Sequence, residues 1–376
     1  MKKIAVVTFH RANNYGTALQ AFALAHKLKQ MGAAAEVLDY RTSVIERIFH
    51  RFLPVCFSPR VVLALLHHRY LRDLSTYRAF AEFRRKTMCV SSRVYRKPED
   101  LCAAEAEYDG FVTGSDQIWN PDIFAEVKQG QDYAYMLDFV KNKQKKHSYA
   151  ASMGVSVLSE EKKAEFRKWL SDFSVLTVRE HRAAVLLQEL LEREIPSVCD
   201  PVLLLTPEDW VQIEKAACLR DMNYILVYSV GGGKELLPYA EELAAREGCA
   251  VYVIQPPVVA TVTDDREKML TGVGPAQFVW LIRHARAVVT TSFHGTAFSL
   301  LFRKPVHLVR EPAAKKGNRN SRFDSLFRYF ALEEKQRCVV DIADRQVEIV
   351  TPDSRNLEAL ERVKVKSVDL LDQVIN

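Results

Sequence analysis

Short apolar runs alternate along the chain with longer segments whose apolar residues recur at helical spacing. Residues 3–9 form a nearly continuous apolar run, which is typical of a buried parallel strand. Residues 17–31 place apolar side chains on one wide face, and Gly32 follows in the position where helices commonly end. A second apolar run at 35–40 completes a strand–helix–strand unit. The N-terminus therefore predicts a parallel α/β sheet.

The same alternation continues and then restarts in the second part of the chain. Further strands are predicted at 108–113, 147–154, 175–178, 196–200, 224–230, 250–254, 287–290 and 305–309. Helical patterns fall between them, and residues 354–375 also predict a helix. Two proline dipeptides, at 200–201 and 206–207, mark a connection between two halves. We therefore predict an α/β fold of two Rossmann-like domains facing one another across a cleft.

The predicted N-terminal domain covers residues 1–205 and contains a basic helical insert at about 41–97. The predicted C-terminal domain covers residues 206–350. A last helix at 351–376 follows, and packing back on the N-terminal domain is one placement open to it. Ligands of such sheets bind outside the carboxyl ends of the strands, so we expect a site in the cleft.

Charge is concentrated in the insert. Residues 41–97 contain 13 Lys and Arg against three acidic residues, which gives +10, whereas the rest of the chain sums to −4. A nucleic-acid ligand, a membrane surface and an anionic substrate are all compatible with a basic segment. Aromatic and aliphatic residues lie among the arginines, which favours an anionic membrane surface or a lipid diphosphate. A solvated helical insert explains the pattern equally well.

Cysteine usage and apolar run length bear on the compartment. Seven cysteines at irregular spacing, with no CxxC pair, predict reduced thiols and favour neither a zinc site nor a disulfide framework. The first residues lack the pattern of a signal peptide, and no apolar run is long enough to span a bilayer. We expect a cytoplasmic protein, or one peripheral at the inner face of the plasma membrane.

A histidine follows one of the predicted strands of the second half. His294 lies in the turn after residues 287–290, between Ser292 and Thr296, where a helix begins. Backbone N–H groups at a helix N-terminus favour an anion. A histidine there can donate to a phosphate or act as a general acid. A buried structural histidine or a helix cap is the alternative.

Charged residues also follow predicted strands of the first half. Arg179 ends such a strand and needs an anionic partner, which is either a ligand or a structural acid such as Glu180. Asp116, in the small polar segment 114–117, suits a base or an acceptor for a sugar hydroxyl, and helix capping is its alternative role. Trp119 is either a core residue or a surface on which a sugar stacks.

Several short motifs occur in one order, and the ordered set resembles the polysaccharide pyruvyltransferase family. The motifs are NNYG at 13–16, TGSDQIWN at 113–120, SYAASMG at 148–154, VRE at 178–180, CDP at 199–201 and TSFHGT at 291–296. The resemblance covers about residues 4–322. It implies two Rossmann-like halves similar to GT-B glycosyltransferases. It also implies transfer of an enolpyruvyl-derived unit from phosphoenolpyruvate to a sugar, which forms a pyruvate ketal and releases phosphate.

The resemblance implies roles for individual residues. Arg179 corresponds to an arginine that binds phosphoenolpyruvate, His294 to the catalytic histidine, and Asp116 is a candidate to deprotonate the acceptor hydroxyl. Other expected substrate-binding residues are Asn14, Tyr15, Gly16, Ser115, Gln117, Ser292, Gly295, Thr296 and Arg322. Some family members carry an arginine where this chain has Ser292, so Arg322 or Lys304 is expected to replace its charge.

The expected partners follow from the same resemblance. Phosphoenolpyruvate is the donor substrate, and neither a cofactor nor a metal is expected. The expected acceptor is a glycan or an undecaprenyl-diphosphate-linked oligosaccharide, a precursor of capsule or exopolysaccharide, and no nucleic acid is expected to bind. One alternative is a GT-B-type glycosyltransferase that uses a nucleotide sugar, although no acidic residue of the second half is well placed for a ribose. A glycan-binding protein without activity is a third reading.

Overall fold

The computed structural model describes residues 1–42, 68–125, 132–155, 157–230, 235–257, 263, 265, 267–310, 320–342 and 345–376. Residues 43–67, the centre of the predicted basic insert, lie outside the described residues. Among the helices that are described, none combines the length and the apolar character needed to cross a membrane.

The N-terminal half, residues up to 205, contains a parallel sheet in the order β3-β2-β1-β4-β5. Its strands are β1 Lys3–Val7, β2 Ala34–Tyr40, β3 Val90–Tyr95, β4 Gly110–Thr113 and β5 Lys146–Ser148. Its helices are α1 Tyr15–Gln30, α2 His68–Lys86, α3 Pro98–Leu101, α4 Pro121–Ala125, α5 Glu160–Leu170 and α6 His181–Leu191. All residues of β4 and β5 are buried, as expected of a parallel sheet covered on both faces. Strand order reverses between β1 and β4, which is where such sheets bind ligands.

The C-terminal half, residues from 206, contains a six-stranded sheet in the order β10-β11-β9-β8-β6-β7. Its strands are β6 Tyr224–Tyr228, β7 Ala250–Ile254, β8 Ala287–Thr290, β9 Val306–Val309, β10 Arg337–Ile342 and β11 Arg345–Val350. Its helices are α7 Pro207–Ile213, α8 Leu236–Glu247, α9 Pro275–His284, α10 Phe293–Leu301, α11 Ser321–Tyr329 and α12 Ser354–Ile375. The first four strands pair in parallel, and the last two add an antiparallel edge.

Two parallel α/β units confirm the prediction of Rossmann-like halves. The predicted strands at 175–178 and 196–200 are reduced to isolated bridges, such as Val178 with Ser197. The sequence did not predict α7, α11 or the hairpin formed by β10 and β11.

The prediction of a helical insert running to residue 97 is wrong at its end. Residues 68–86 form α2, but Val90–Tyr95 form β3, the edge strand of the N-terminal sheet. Asp39 on the neighbouring strand donates its backbone N–H to Ser91 Oγ at 3.0 Å, which helps to fix this edge. Its sequence, VSSRVY, has a mixed pattern of buried and exposed residues rather than a continuous apolar run, and polar or charged side chains are tolerated on the exposed side of an edge strand.

An apolar core extends through both halves. Tyr15 of α1 stacks on Phe278 of α9, with ring centroids 4.8 Å apart and an interplanar angle of 8°. The last helix, α12, also contacts the N-terminal half. Its Ser367 Oγ accepts a hydrogen bond from the Cys199 backbone N–H at 3.3 Å, and Lys2 Nζ donates to the Asn376 backbone carbonyl at 2.8 Å. The domain boundaries at 205 and 350 stay a prediction.

Candidate active site

A buried carboxylate, Asp200, lies at the centre of a polar cluster between the halves. Its Oδ2 lies 2.9 Å from Arg179 Nη1, 3.0 Å from Ser115 Oγ and 3.5 Å from His294 Nε2. Its Oδ1 accepts a hydrogen bond from the Val202 backbone N–H at 3.1 Å. Burial alone would raise the pKa of Asp200, but His294 and Arg179 outweigh it and hold that pKa well below its ordinary value. Asp200 is therefore an ionised anchor for groups from both halves.

His294 lies in the first turn of α10, at the carboxyl end of the strand that precedes it. Ser292 begins this helix, and its Oγ accepts a hydrogen bond from the Gly295 N–H at 3.2 Å. The His294 side chain is buried against α1 of the other half. A Cβ atom at Gly16 would lie 2.0 Å from His294 Nδ1, so only glycine fits at this approach. At 3.5 Å, His294 Nε2 is too far from Asp200 Oδ2 for a good hydrogen bond.

Arg179 is held by two acidic side chains. Its guanidinium is buried, donates from Nε to Glu180 Oε1 at 3.0 Å and from Nη1 to Asp200 Oδ2 at 2.9 Å, and its Cζ lies 4.3 Å from the centre of the Phe293 ring. Burial lowers the pKa of Arg179, but Glu180 and Asp200 more than reverse that effect and raise it. Of the two kinds of partner that the sequence left open, the structure shows the structural acids, and one of them, Asp200, also lies 3.5 Å from His294 Nε2.

Asp116 is positioned by the first turn of α1. Its Oδ2 accepts a hydrogen bond from Thr17 Oγ1 at 2.5 Å, and its Oδ1 accepts one from the Gln117 backbone N–H at 2.8 Å. The Gln117 side chain in turn accepts a hydrogen bond from Asn120 Nδ2 at 2.6 Å. Asp116 is only partly buried, unlike Asp200. Its carboxylate is therefore fixed in orientation, and its charge acts on Arg179 of the cluster.

Two expected substrate-binding residues of the NNYG motif, Asn14 and Tyr15, have structural roles in the fold. Asn14 caps α1, because its side chain accepts a hydrogen bond from the Thr17 N–H at 3.3 Å. Tyr15 is buried, and its hydroxyl donates to the Val273 carbonyl of the other half at 3.1 Å. The structure therefore places Tyr15 in the packing between the halves and Asn14 at the end of a helix.

Three further residues that the sequence singled out also have structural partners. The Thr296 hydroxyl donates to the Ser292 carbonyl at 2.9 Å, within its own helix. A Cβ atom at Gly295 would lie 2.7 Å from Thr290 Oγ1, so this glycine allows α10 to pack on the sheet. Trp119 is a core residue and donates from Nε1 to the Tyr135 carbonyl at 2.9 Å.

The two cations proposed to replace an arginine at Ser292 differ in position. Arg322, near the start of α11, lines a small cavity together with Gln117 and Glu180. Lys304 lies after the C-terminal end of α10, whereas His294 lies at the start of that helix. Burial, and after it Arg283, lower the pKa of Lys304. Only Arg322 shares a cavity with residues of the cluster.

Sequence reasoning missed Asp200 as a site residue, and with it the role of Ser152, whose hydroxyl donates to Glu180 Oε1 at 2.7 Å. Both residues lie inside motifs that carried the family resemblance. The signal for Asp200 was its place at the end of a strand-like segment, which was interpreted as a connection between the halves. Within the described part of the chain, no group of three or more His, Cys, Asp or Glu is arranged to hold a metal ion.

These features define a protein of two parallel α/β halves with a buried ionic site where the carboxyl ends of their strands meet. Residues 14–311 match the family model described as polysaccharide pyruvyl transferase, which is well over half of the chain. The chain therefore belongs to the polysaccharide pyruvyl transferase family, as the motifs predicted. A comparison with curated protein sequences finds no match.

Solved structures of other enzymes are similar over nearly the whole chain. The UDP-GlcNAc 2-epimerase of Neisseria meningitidis, bound to UDP-GlcNAc, is 10% identical, with 99% of each chain covered and a TM-score of 0.47. The UDP-GlcNAc 2-epimerase of Methanocaldococcus jannaschii is 11% identical, with 97% of this chain and 100% of that chain covered and a TM-score of 0.44. The glycosyltransferase SnogD of Streptomyces nogalater is 12% identical, with 98% and 95% covered and a TM-score of 0.34.

Proposed function

We propose that the protein transfers a pyruvyl group from phosphoenolpyruvate to two hydroxyl groups of a sugar and forms a cyclic pyruvate ketal. The observation that carries this proposal is the contact of one carboxylate, Asp200, with both Arg179 of the N-terminal half and His294 of the C-terminal half. The family match supports the reaction class. Cooperation of an arginine and a histidine across the cleft suits a donor that is both an anion and an acceptor of a proton.

The reaction balances with groups that the site contains. The methylene carbon of phosphoenolpyruvate gains a proton and becomes a methyl group, and one sugar hydroxyl forms a C–O bond to the neighbouring carbon. A second hydroxyl forms the other C–O bond as the bond to phosphate breaks. The two sugar hydroxyls release two protons. One of them restores the proton that the general acid delivered to the methylene carbon, and the other leaves with phosphate. His294 is the proposed proton donor, and Asp116 is the proposed base for one hydroxyl.

The charges of the cluster define where the donor's anionic groups can bind. Asp116, Glu180 and Asp200 contribute three carboxylates against the single guanidinium of Arg179. A carboxylate and a phosphate need further positive groups, since Arg179 already has two acidic partners. We propose Arg322 and the N-terminus of α10 for this role, the latter because helix N-termini favour anions. Arg179 then stabilises the site through Asp200 and Glu180 and contacts the donor through its remaining N–H groups.

We further propose that the acceptor is a precursor of a cell-surface polysaccharide, such as capsule or exopolysaccharide, carried on a lipid diphosphate. The basic segment 41–97 supports an acceptor at the inner face of the plasma membrane, because a +10 segment attracts anionic lipid and diphosphate groups. Residues 43–67 of this segment lie outside the described residues, so its charge and composition alone carry this part of the proposal.

The test is phosphate release from phosphoenolpyruvate in the presence of lipid-linked oligosaccharides, with mass spectrometry of the acceptor for the pyruvyl increment. We expect release only with a suitable acceptor, and a decrease of roughly 100-fold or more in His294→Ala because a general acid is lost. His181→Ala is the control, since His181 is an exposed histidine at the start of another helix. Turnover of a UDP-sugar without any use of phosphoenolpyruvate would contradict the proposal and favour a glycosyltransferase.

A further inference from the structure

One carboxylate oxygen of Glu180 accepts two hydrogen bonds from described residues, and the other accepts none from them. Oε1 accepts hydrogen bonds from Ser152 Oγ at 2.7 Å and from Arg179 Nε at 3.0 Å. Oε2 is buried, and no donor of the described residues lies within hydrogen-bond distance of it. The residue is only 5% exposed. Buried carboxylate oxygens in folded proteins nearly always accept hydrogen bonds, so the missing donor requires an explanation.

Glu180 lines a small polar cavity formed by both halves. Gln117, Gly154 and Arg182 of the N-terminal half line it, together with Ser321 and Arg322 of α11. The space accepts a group about the size of one water molecule or one hydroxyl. Because Oε1 is occupied, Oε2 is the carboxylate oxygen left for a group that enters.

The cavity also adjoins the proposed base. The backbone N–H of Gln117 donates to Asp116 Oδ1 at 2.8 Å, while its side chain lines the cavity. Gly154 keeps this arrangement open, because a Cβ atom there would lie 2.5 Å from Gln117 Oε1. Gln117 therefore contacts Asp116 through its backbone and lines the cavity of Glu180, and both carboxylates act on the charge of Arg179.

We propose that Glu180 is a substrate-binding carboxylate whose Oε2 accepts a hydrogen bond from a hydroxyl of the sugar acceptor. Ketal formation needs two hydroxyl groups, and besides Asp200, which Arg179, Ser115 and the Val202 N–H engage, the site offers two carboxylates, Asp116 and Glu180. In this arrangement Glu180 binds the second hydroxyl and takes its proton as that oxygen displaces phosphate, and the proton then passes to the released phosphate. The proton transfer rests on the proposed function, whereas the binding of a sugar hydroxyl does not.

The binding test compares glycosides that differ by one hydroxyl. The probes are methyl α-D-gluco-, galacto- and mannopyranoside and their 4-deoxy and 6-deoxy forms, titrated by NMR. For the glycoside that binds, we expect removal of one hydroxyl to weaken binding to the unaltered protein by roughly tenfold. In Glu180→Gln, removal of that hydroxyl should change the affinity for the glycoside little, because the carboxylate that distinguishes the glycoside from its deoxy form is gone.

Ser152→Ala is the matched control. It removes the other donor to Oε1 and leaves Oε2 as it is, so it should retain the difference between the two glycosides. Thermal unfolding of both variants checks that the fold is retained. The inference is overturned if removal of the hydroxyl reduces the affinity for the glycoside equally in Glu180→Gln and in the unaltered protein. It is also overturned if neither protein binds any of the glycosides saturably.

Phosphate release separates this inference from the proposed function. If the unaltered protein releases phosphate and Glu180→Gln turns over at the same rate with the same preference among glycosides, Glu180 has no substrate role although the reaction stands. If no phosphate is released but hydroxyl discrimination depends on Glu180, the hydroxyl site stands and the proposed donor is wrong.

Discussion

At the scale of single residues, Gly16 faces His294 across the junction of α1 and α10. In Gly16→Ala the new Cβ would lie 2.0 Å from Nδ1 and 2.8 Å from Cβ of His294, so the histidine or its helix has to move. We expect phosphate release to fall nearly as far as in His294→Ala, because a displacement of about 1 Å of a catalytic group suffices for a large loss.

Gly110→Ala is the control for this prediction. Its Cβ would lie 3.1 Å from the tip of the Ile4 side chain and at ordinary van der Waals distance, 3.6 Å or more, from the His147 ring, in the body of the N-terminal sheet. It should lower the midpoint of thermal unfolding modestly and leave turnover of the folded protein unchanged. Full turnover in Gly16→Ala would show that His294 does not need its present position.

His147 makes stability depend on pH. Burial, and after it Lys2, lower the pKa of His147 to about 4. The unfolded chain then binds more protons than the folded protein between about pH 6.5 and 4, so the free energy of unfolding falls as the pH is lowered through this window. Burial lowers the pKa of His307 to about 4 as well, so it adds to the same loss.

Urea unfolding at pH 7 and pH 5 measures this effect. We expect the loss of stability between these pH values to be smaller in His147→Gln than in the unaltered protein, because one source of proton uptake on unfolding is removed. An identical pH dependence in His147→Gln would contradict the low pKa.

Single-residue chemistry could be predicted from the sequence only in part. His294 and Arg179 stand out because a charged or titratable residue directly follows an apolar run. Asp200 also follows a strand-like segment, but nothing local shows that its Oδ2 contacts Ser115, Arg179 and His294. Those contacts join positions far apart in the chain and depend on how the two halves pack.

At the scale of elements, α2 connects the two halves. Its Phe80 is fully buried and packs on Tyr15, with ring centroids 5.0 Å apart. On the same helix, Thr76 Oγ1 accepts a hydrogen bond from the Gly272 N–H of the C-terminal half at 3.2 Å, and Arg84 Nη1 donates to Asn13 Oδ1 at 3.0 Å. The helix therefore fixes the loop that precedes α1 relative to both sheets.

Removal of the Phe80 ring tests this role. Phe80→Ala should lower the free energy of unfolding by about 3–5 kcal/mol, as large-to-small changes of buried aromatic residues do. Arg78→Ala, on the exposed side of the same helix, should change it by no more than about 0.5 kcal/mol. Urea denaturation of both variants measures the difference, and equal stabilities would mean that α2 does not join the halves.

Long periodic elements were predicted well, and marginal ones were not. The pattern at 354–375 matches α12, because its apolar residues recur at helical spacing along its whole length. In contrast, β3 has a mixed pattern of buried and exposed residues, and β10 is largely exposed. A strand at the edge of a sheet forms because the adjacent strand offers hydrogen bonds to its backbone. The local sequence pattern therefore predicts such a strand poorly.

At the scale of the whole molecule, charge is unevenly divided. Residues 41–97 carry +10 and the remainder −4, and the active-site cluster is itself rich in carboxylates. The excess of positive charge therefore belongs to a different segment of the sequence from those that contain Asp116, Arg179, Glu180, Asp200 and His294. A segment of this kind acts at longer range, on a surface or a large anion, and its attraction weakens as salt is added.

We predict that replacing Arg47, Arg51, Arg69 and Arg72 by Gln weakens binding to vesicles that contain anionic lipid. Each basic residue near such a surface contributes about 1 kcal/mol, so four replacements should reduce binding by several orders of magnitude at low salt. Turnover of a short soluble acceptor should not change, because the contacts described for Asp200 come from Ser115, Arg179, Val202 and His294. The control replaces four exposed basic residues of the remainder, Lys29, Arg220, Arg328 and Lys366, and should leave vesicle binding intact. Sedimentation with vesicles at two salt concentrations measures the effect, and unchanged binding in the four-residue variant would show that the segment is a solvated insert.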